Sequence, residues 1–297
     1  MLRPLHISAA LLTATALLAA ACSSGDDGAA TDTSVTDIEL EQIDAPSNEK
    51  PEVSIPAEAP TELVITELSP GSGPAAQAGD TVVVDYVGVR SSDGVEFDNS
   101  YDRGAPFPVV LGAGQVITGW DEGLIGARAG ERRQLDIPSD LAYGESGAGE
   151  LIGPGDALTF VVDVRAVITT ADPADAPTDI ELSESVGATE VEITDLRLGE
   201  GPPVVEGDTA AANVLLYRGS DLGELVNTWT EGRHIDFVVQ DGQLLPGLVE
   251  GLLGMQAGGQ RVIVIPAELA FGETGQADLG LDPNEDVIVV VELLARY

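Results

Sequence analysis

One cysteine, Cys22, is all that this chain of 297 residues contains, so no intramolecular disulfide can form and its domains must be held by packing alone. Histidine is nearly as scarce, and only His234 lies beyond the first twenty-one residues. With no cysteine or second histidine to join it, His234 completes neither a zinc site nor a Ser-His-Asp triad. Ser146, in Gly144-Glu145-Ser146-Gly147-Ala148, lacks the glycine spacing of a nucleophile elbow. Basic residues number 13 against 51 acidic ones, a net charge of −38. Such a surface repels a nucleic-acid backbone, which excludes nucleic acid as a partner, and it repels an anionic bilayer surface as well. Aromatic side chains make up only 4%, so each of them carries weight.

The one long apolar run lies at the start. Arg3 and His6 precede a Leu- and Ala-rich stretch from Ile7 to Ala21 that ends at Cys22. This is the layout of a secretory signal, a cationic start followed by an apolar core too short to stay as a spanning helix. Leu18-Ala19-Ala20-Ala21-Cys22 resembles a bacterial lipobox, with Ala19 where leucine is more usual. The expectation is a signal peptide over 1–21 and a lipid-modified Cys22. The protein would then be exported and held on the outer face of the cell membrane by acyl chains, each buried methylene contributing ~0.8 kcal/mol. Membrane contact would be through that anchor only. Residues 22–60 are acidic and punctuated by Pro46, Pro51, Pro56 and Pro60. A segment so poor in apolar residues reads as a disordered spacer. A second such stretch, 170–187, carries Pro173 and Pro177 and reads as a linker.

Around these lies an internal repeat. Thr61-Glu62-Leu63-Val64-Ile65-Thr66-Glu67-Leu68 recurs as Thr189-Glu190-Val191-Glu192-Ile193-Thr194-Asp195-Leu196, and Gly79-Asp80-Thr81 as Gly207-Asp208-Thr209. The repeat length is that of a whole domain, which divides the chain into domains at 61–169 and 188–297. In the first, Leu63–Leu68, Thr81–Val89, Pro106–Leu111, Arg132–Ile137 and Leu158–Ile168 read as strands. Between them, Val116 and Ile117 end an extended run, Gly119 permits a close turn, and Trp120, Leu124 and Ile125 give one short buried helix face. Gly112-Ala113-Gly114 invites a dinucleotide-binding reading, but no strand-turn-helix unit with a following ribose-binding acid accompanies it. The pattern predicts an α+β protein of two domains, each a curved antiparallel sheet around one short helix.

Taken singly, Phe97, Phe107, Trp120 and Phe160 would be ordinary core. Their order carries more. Asp85-Tyr86-x-Gly88, Phe97-Asp98-x-Ser100, Asp102-Arg103, Phe107, Gln115-Val116-Ile117-x-Gly119-Trp120, Ala142-Tyr143-Gly144 and Phe160 together resemble the FKBP-type peptidyl-prolyl isomerases from about Glu62 to Val167. The resemblance implies two FKBP-like half-barrels and, in the first, an apolar pocket with Trp120 as its floor. Tyr86, Phe97, Asp98, Trp120, Tyr143 and Phe160 would be its catalytic lining. Arg103, Phe107, Val116, Ile117, Leu151 and Ile152 would bind substrate. By the same resemblance the Ile117 N–H and the Tyr143 hydroxyl would hold substrate carbonyls, and Asp98 would be a buried acceptor organised by Tyr86 and Arg103. Ala148 stands where the family often has histidine, which bears on substrate preference.

The function implied by the resemblance is that of a folding catalyst for X-Pro bonds in unfolded or exported polypeptides, needing no cofactor or metal and open to macrolides such as tacrolimus or rapamycin. Unit two keeps the frame and loses the lining: Tyr86 would correspond to Val214, Phe97 to Val226, Asp98 to Asn227, Phe107 to Ile235, Trp120 to Leu248, Tyr143 to Phe271 and Phe160 to Val289, with Tyr217 close to Val214. Activity is therefore expected in the first domain and a degenerate copy in the second. The alternative is a non-enzymatic surface binding protein or chaperone that holds polypeptide partners with both domains. Asp278, Asp282, Asn284, Glu285 and Asp286 form an acidic loop without the glycine of a calcium loop, and read as solvated surface.

Overall fold

The structure, a computed structural model, describes residues 49–297. The expected signal peptide, Cys22 and most of the expected spacer lie outside the described residues. Among those described, no helix is long and apolar enough to cross a membrane.

Each repeat builds one six-stranded antiparallel sheet. In the first, β1 (Val64–Ser69), β5 (Arg132–Ile137), β6 (Leu158–Ile168), β2 (Thr81–Arg90) and β3 (Glu96–Asn99) lie side by side in that order, and β4 (Phe107–Val110) also pairs with β2. In the second, β7 (Glu192–Arg197), β11 (Gln260–Ile265), β12 (Val287–Arg296), β8 (Thr209–Arg218) and β10 (Ile235–Val238) repeat the order, with β9 (Glu224–Asn227) on β8. The short strand β3 falls on the Phe97-Asp98 motif, where alternation over four residues is too brief to read from sequence.

One short helix crosses each sheet, α1 (Thr118–Gly123) in the first and α3 (Pro246–Leu252) in the second; α2 (Thr228–Glu231) is a single turn. A six-residue helix is unstable alone, and two features hold α1. Gly119 and Gly123 face Ile137 and Leu135 so closely that a Cβ at either position would collide with them. The buried Arg133 then donates to the Gly123 carbonyl at 2.6 Å, placing a cation on the unsatisfied C-terminal carbonyls. The second domain repeats both, with Gly247 and Gly251 against Ile265 and Ile263, and Arg261 on the Gly251 carbonyl at 2.8 Å.

Two expectations for this stretch change. Strand β4 stops at Val110, so Val116 lies in a bend outside any strand, while Ile117 keeps an extended backbone (φ −60°, ψ 148°) as the residue that leads into α1. The helix stops at Gly123, and Ile125 points outward, 43% exposed, while Leu124 is buried. The Gly112 and Gly114 N–H groups are taken up by the Asp121 carboxylate at 3.0 and 3.1 Å, which leaves no cradle for a phosphate.

Strand β2 is buried on both faces. Val82, Val84 and Tyr86 point into the first domain's core, whereas Val83 joins Ala166, Ile168, Ala211, Leu294, Ala295 and Tyr297 in a cluster shared by the two sheets. The linker is packed too. Ala171, Ala176, Ile180 and Leu182 cover Leu215, Val290 and the fully buried Trp229. Asp286 fastens its end, accepting from the Ser185 hydroxyl at 3.0 Å, the Ala188 N–H at 2.8 Å and, inside the domain, the Ala267 N–H at 3.0 Å. That bonding removes Asp286 from the acidic loop, and no group of acids suited to a metal occurs among the described residues.

Candidate functional site

Strand β2 presents Tyr86 to the concave side of the sheet, and three aromatic rings gather round it. Its ring centroid lies 5.0 Å from that of Trp120, 6.1 Å from Phe107 and 6.3 Å from Phe160. Trp120 also meets Phe160 at 5.2 Å and Phe107 at 6.3 Å, and Phe97 meets Phe160 at 5.5 Å. Near-perpendicular planes dominate, the arrangement in which a ring edge meets a π face. Trp120 is 4% exposed, and among the described residues its indole N–H has no hydrogen-bond partner. An aromatic floor of this kind offers mainly apolar area, with the indole N–H as a spare donor.

The rim is built differently. Phe107, Tyr143 and Leu151 are exposed, Tyr143 at 41%, and among the described residues neither the Tyr143 hydroxyl nor the Ile117 N–H has a partner within the chain. Ile152 is buried, and Val116 and Ile117 are half-buried against the core. Of the residues anticipated from the sequence, Tyr86, Phe97, Phe107, Trp120 and Phe160 meet ring to ring, Val116, Ile117 and Ile152 pack against the same core, Asp98 and Arg103 bind the Tyr86 hydroxyl, and Tyr143 and Leu151 are exposed. Asp98 is not the buried acceptor expected. Its side chain is nearly half exposed, on the edge strand β3, yet it accepts from the Tyr86 hydroxyl at 2.5 Å and pairs with Arg103 at 2.5 Å. Arg103 donates a further bond to the Tyr86 hydroxyl at 2.8 Å and lies 5.4 Å from the centre of that ring. Burial, and then the Asp98 carboxylate, push the Tyr86 phenol up to about 12, so at neutral pH it stays a protonated donor.

Two motif residues prove to hold the frame. The Ser100 hydroxyl accepts from the Tyr86 N–H at 3.0 Å and donates to Asp85 at 2.6 Å, which fixes the turn after β3 against β2. Gly88 is glycine because a Cβ there would stand 2.7 Å from the Phe160 ring and 2.8 Å from that of Phe97. The arginine on the helix end was legible only as a repeat, Arg133 recurring as Arg261, and its role needed the packing.

The family model described as FKBP-type peptidyl-prolyl cis-trans isomerase matches residues 73–165 and again 203–294. The chain belongs to this family. An FK506-binding protein of Streptomyces anulatus is 55% identical over 123 residues, 41% of this chain and 99% of that protein. Peptidyl-prolyl cis-trans isomerase FKBP10 of Mus musculus is 35% identical over 244 residues, covering 80% of this chain and 39% of its own length. A crystal structure of the three FKBP domains of wheat FKBP73 aligns over 79% of this chain and 94% of that one, at 19% identity and a TM-score of 0.37. Apart from the Streptomyces protein, the chain spans well under half the length of the first curated relatives it matches.

The second FKBP domain keeps the backbone of the first and not its lining. Strand pairing aligns Leu216 with Gly88, Leu225 with Phe97 and Val226 with Asp98, one residue earlier than the correspondence expected for the last two. Val214, Ile235, Leu248, Phe271 and Val289 stand where Tyr86, Phe107, Trp120, Tyr143 and Phe160 stand. Tyr217 offers no substitute for Tyr86, because it points to the opposite face, into the cluster under the linker. Thr228 still accepts from the Val214 N–H at 2.8 Å, as Ser100 does from Tyr86.

Proposed function

We propose that this chain is an extracytoplasmic folding catalyst whose first FKBP domain, 61–169, isomerises X-Pro bonds in unfolded or newly exported polypeptides. The domain 188–297 then serves as an inactive or weakly active companion. The observation that carries the reading is the aromatic cluster of Tyr86, Phe97, Phe107, Trp120 and Phe160, together with an Ile117 N–H and an exposed Tyr143 phenol that have no partner among the described residues.

Isomerisation breaks no covalent bond. Its barrier of ~18–20 kcal/mol is the amide resonance lost as the bond twists. A twisted amide separates less charge than a planar one, so a dry aromatic pocket favours the transition state over the ground state. In this reading the proline ring lies on Trp120, the flanking carbonyls accept from the Ile117 N–H and the Tyr143 hydroxyl, and Tyr86, Asp98 and Arg103 hold one wall as a unit. Leu151 and Ile152 close over the residue before proline. No cofactor enters any step.

Export and a lipid anchor at Cys22 belong to the same proposal, supported by the apolar run from Ile7 to Ala21 and the lone cysteine after it. Incorporation of labelled fatty acid that is lost in Cys22→Ala would support the anchor, and equal labelling of both would refute it. For the catalyst, the test is the cis-trans exchange rate of a Leu-Pro peptide with the full chain. The expected result is acceleration that a macrolide of the FK506 type suppresses. A folded chain that binds the peptide without accelerating exchange would mean a polypeptide-holding protein instead.

A further inference from the structure

The flap over the pocket is apolar at its tip and acidic along its flanks. It runs from Ser139 to Asp156 and contains no lysine or arginine. Its hairpin is closed by reciprocal bonds between Ala148 and Ile152 at 2.8 and 3.2 Å, and by the Gly155 N–H on the Gly144 carbonyl at 3.0 Å. One acid, Asp156, is used internally, accepting from the Gly153 N–H at 2.7 Å. The others, Asp140, Glu145 and Glu150, are exposed and have no partner among the described residues. Glu145 lies in the single turn that follows Tyr143, and Glu150 immediately precedes the exposed Leu151.

The cations nearest the pocket do not offset them. Arg103 is paired with Asp98, and Lys50 bridges Glu96 and Asp102 at 2.8 and 3.2 Å. Arg90 pairs with Asp93 at 2.5 Å and gives a further bond to the Leu151 carbonyl at 3.0 Å. Each positive group is therefore matched by a carboxylate of its own, while three flap carboxylates face solvent unmatched. They sit on a flap whose Leu141, Ala142, Ala148 and Ile152 pack against the core that holds Tyr86, Trp120 and Phe160, and they do not make a site of their own.

We propose that these carboxylates set the substrate class of the first domain: Asp140, Glu145 and Glu150 favour X-Pro bonds flanked by lysine or arginine and disfavour those flanked by acids. The inference rests on the isomerase reading. An apolar X-Pro pair would enter the well while cationic neighbours lie along the flap, and the chain's overall negative charge adds a steering effect that salt screens.

The test uses the full chain and three peptides alike in their Leu-Pro bond, one with two flanking lysines, one with two glutamates and one neutral. The expected kcat/KM ratio of lysine to glutamate peptide is roughly tenfold at low ionic strength, collapsing towards unity in ~1 M salt. In the triple variant Asp140→Asn, Glu145→Gln, Glu150→Gln the ratio falls to about threefold, while the neutral peptide is turned over as before. A control triple, Asp179→Asn, Glu190→Gln, Glu192→Gln, removes the same charge from the linker and the second domain and leaves the ratio unchanged. Equal rates for the two charged peptides would overturn the proposal, and so would equal losses in the two triples, which would assign the effect to net charge. Should the neutral peptide not be isomerised at all, the isomerase reading fails instead, and the affinities of the two charged peptides for the same variants then decide the flap's preference.

Discussion

The two FKBP domains share a backbone and differ in what fills it. Both keep glycines where the helix meets the sheet, an arginine on the helix's last carbonyls and a hydroxyl bonded to the second strand's N–H. These features hold the half-barrel together whatever occupies its concave side. The contents then part company. In the first domain Gly88 leaves room for the rings of Phe97 and Phe160; in the second, Leu216 fills that space and its neighbours shrink to Leu225 and Val289. The outer faces differ as well. Tyr101 and Arg132 bind the fully buried Asp163 in the first, whereas Trp229 lies under the linker in the second. A fold and a pocket are thus separable: one domain can lose the aromatic well and stay well packed.

The largest expected break of the comparison is Trp229→Ala. It empties a fully buried indole site beneath the linker and is expected to destabilise the second domain by about 3–5 kcal/mol. Below that domain's unfolding transition, exchange of a Leu-Pro peptide should be untouched. A matching loss of exchange, with the second domain still folded, would tie catalysis to the companion domain. Next is Gly88→Leu, which imports the second domain's residue into the first. The new side chain collides with Phe97 and Phe160, so a cost of about 1–3 kcal/mol and near-complete loss of isomerisation are expected. A variant with wild-type exchange would show that the space beside those rings is not used. Asp98→Val, the residue found at Val226, strands the Tyr86 hydroxyl and Arg103; with the pair half exposed, a loss of about 1 kcal/mol, roughly fivefold in kcat/KM, is expected.

The smallest effect concerns pH. The Tyr86 phenol ionises near 12 in the folded chain, raised by burial and by Asp98, against about 10 when unfolded. The folded state therefore holds its proton more tightly, and the stability this contributes is fully present below about pH 10 and lost as pH rises towards 12. Spectrophotometric titration of Tyr86→Phe should remove one late-ionising phenol. Removal of one that ionises near 10 would contradict the Tyr86-Asp98-Arg103 arrangement.

Much of this was legible in the sequence because it is periodic or repeated. Strands β2 and β6 announce themselves by β-branched runs and β5 by the alternation of Leu135, Asp136 and Ile137, and the repeat gives two domains and most of their register. Strand β3 escaped because four residues carry too little alternation. Its register in the second domain slipped by one because β9 has no motif to anchor it, and only the ladder to β8 decides between Leu225 and Val226. Burial was the other limit. Asp98 sits among aromatic residues in sequence but on an edge strand in space, and Ile125 keeps helical spacing from Trp120 while the helix has already ended. Nothing in the composition of 170–187 indicates the packing on Trp229, since small residues such as Ala171 and Ala176 cover a ring without an apolar run.

The most direct measurement is kcat/KM for one neutral Leu-Pro peptide with the full chain, with Trp120→Leu and with Leu248→Ala, run side by side. If the aromatic well of the first domain is the catalytic site, Trp120→Leu loses about 2 kcal/mol of transition-state stabilisation, roughly thirtyfold in rate, and Leu248→Ala loses nothing. An unchanged rate in Trp120→Leu, or equal losses in both variants, would contradict it.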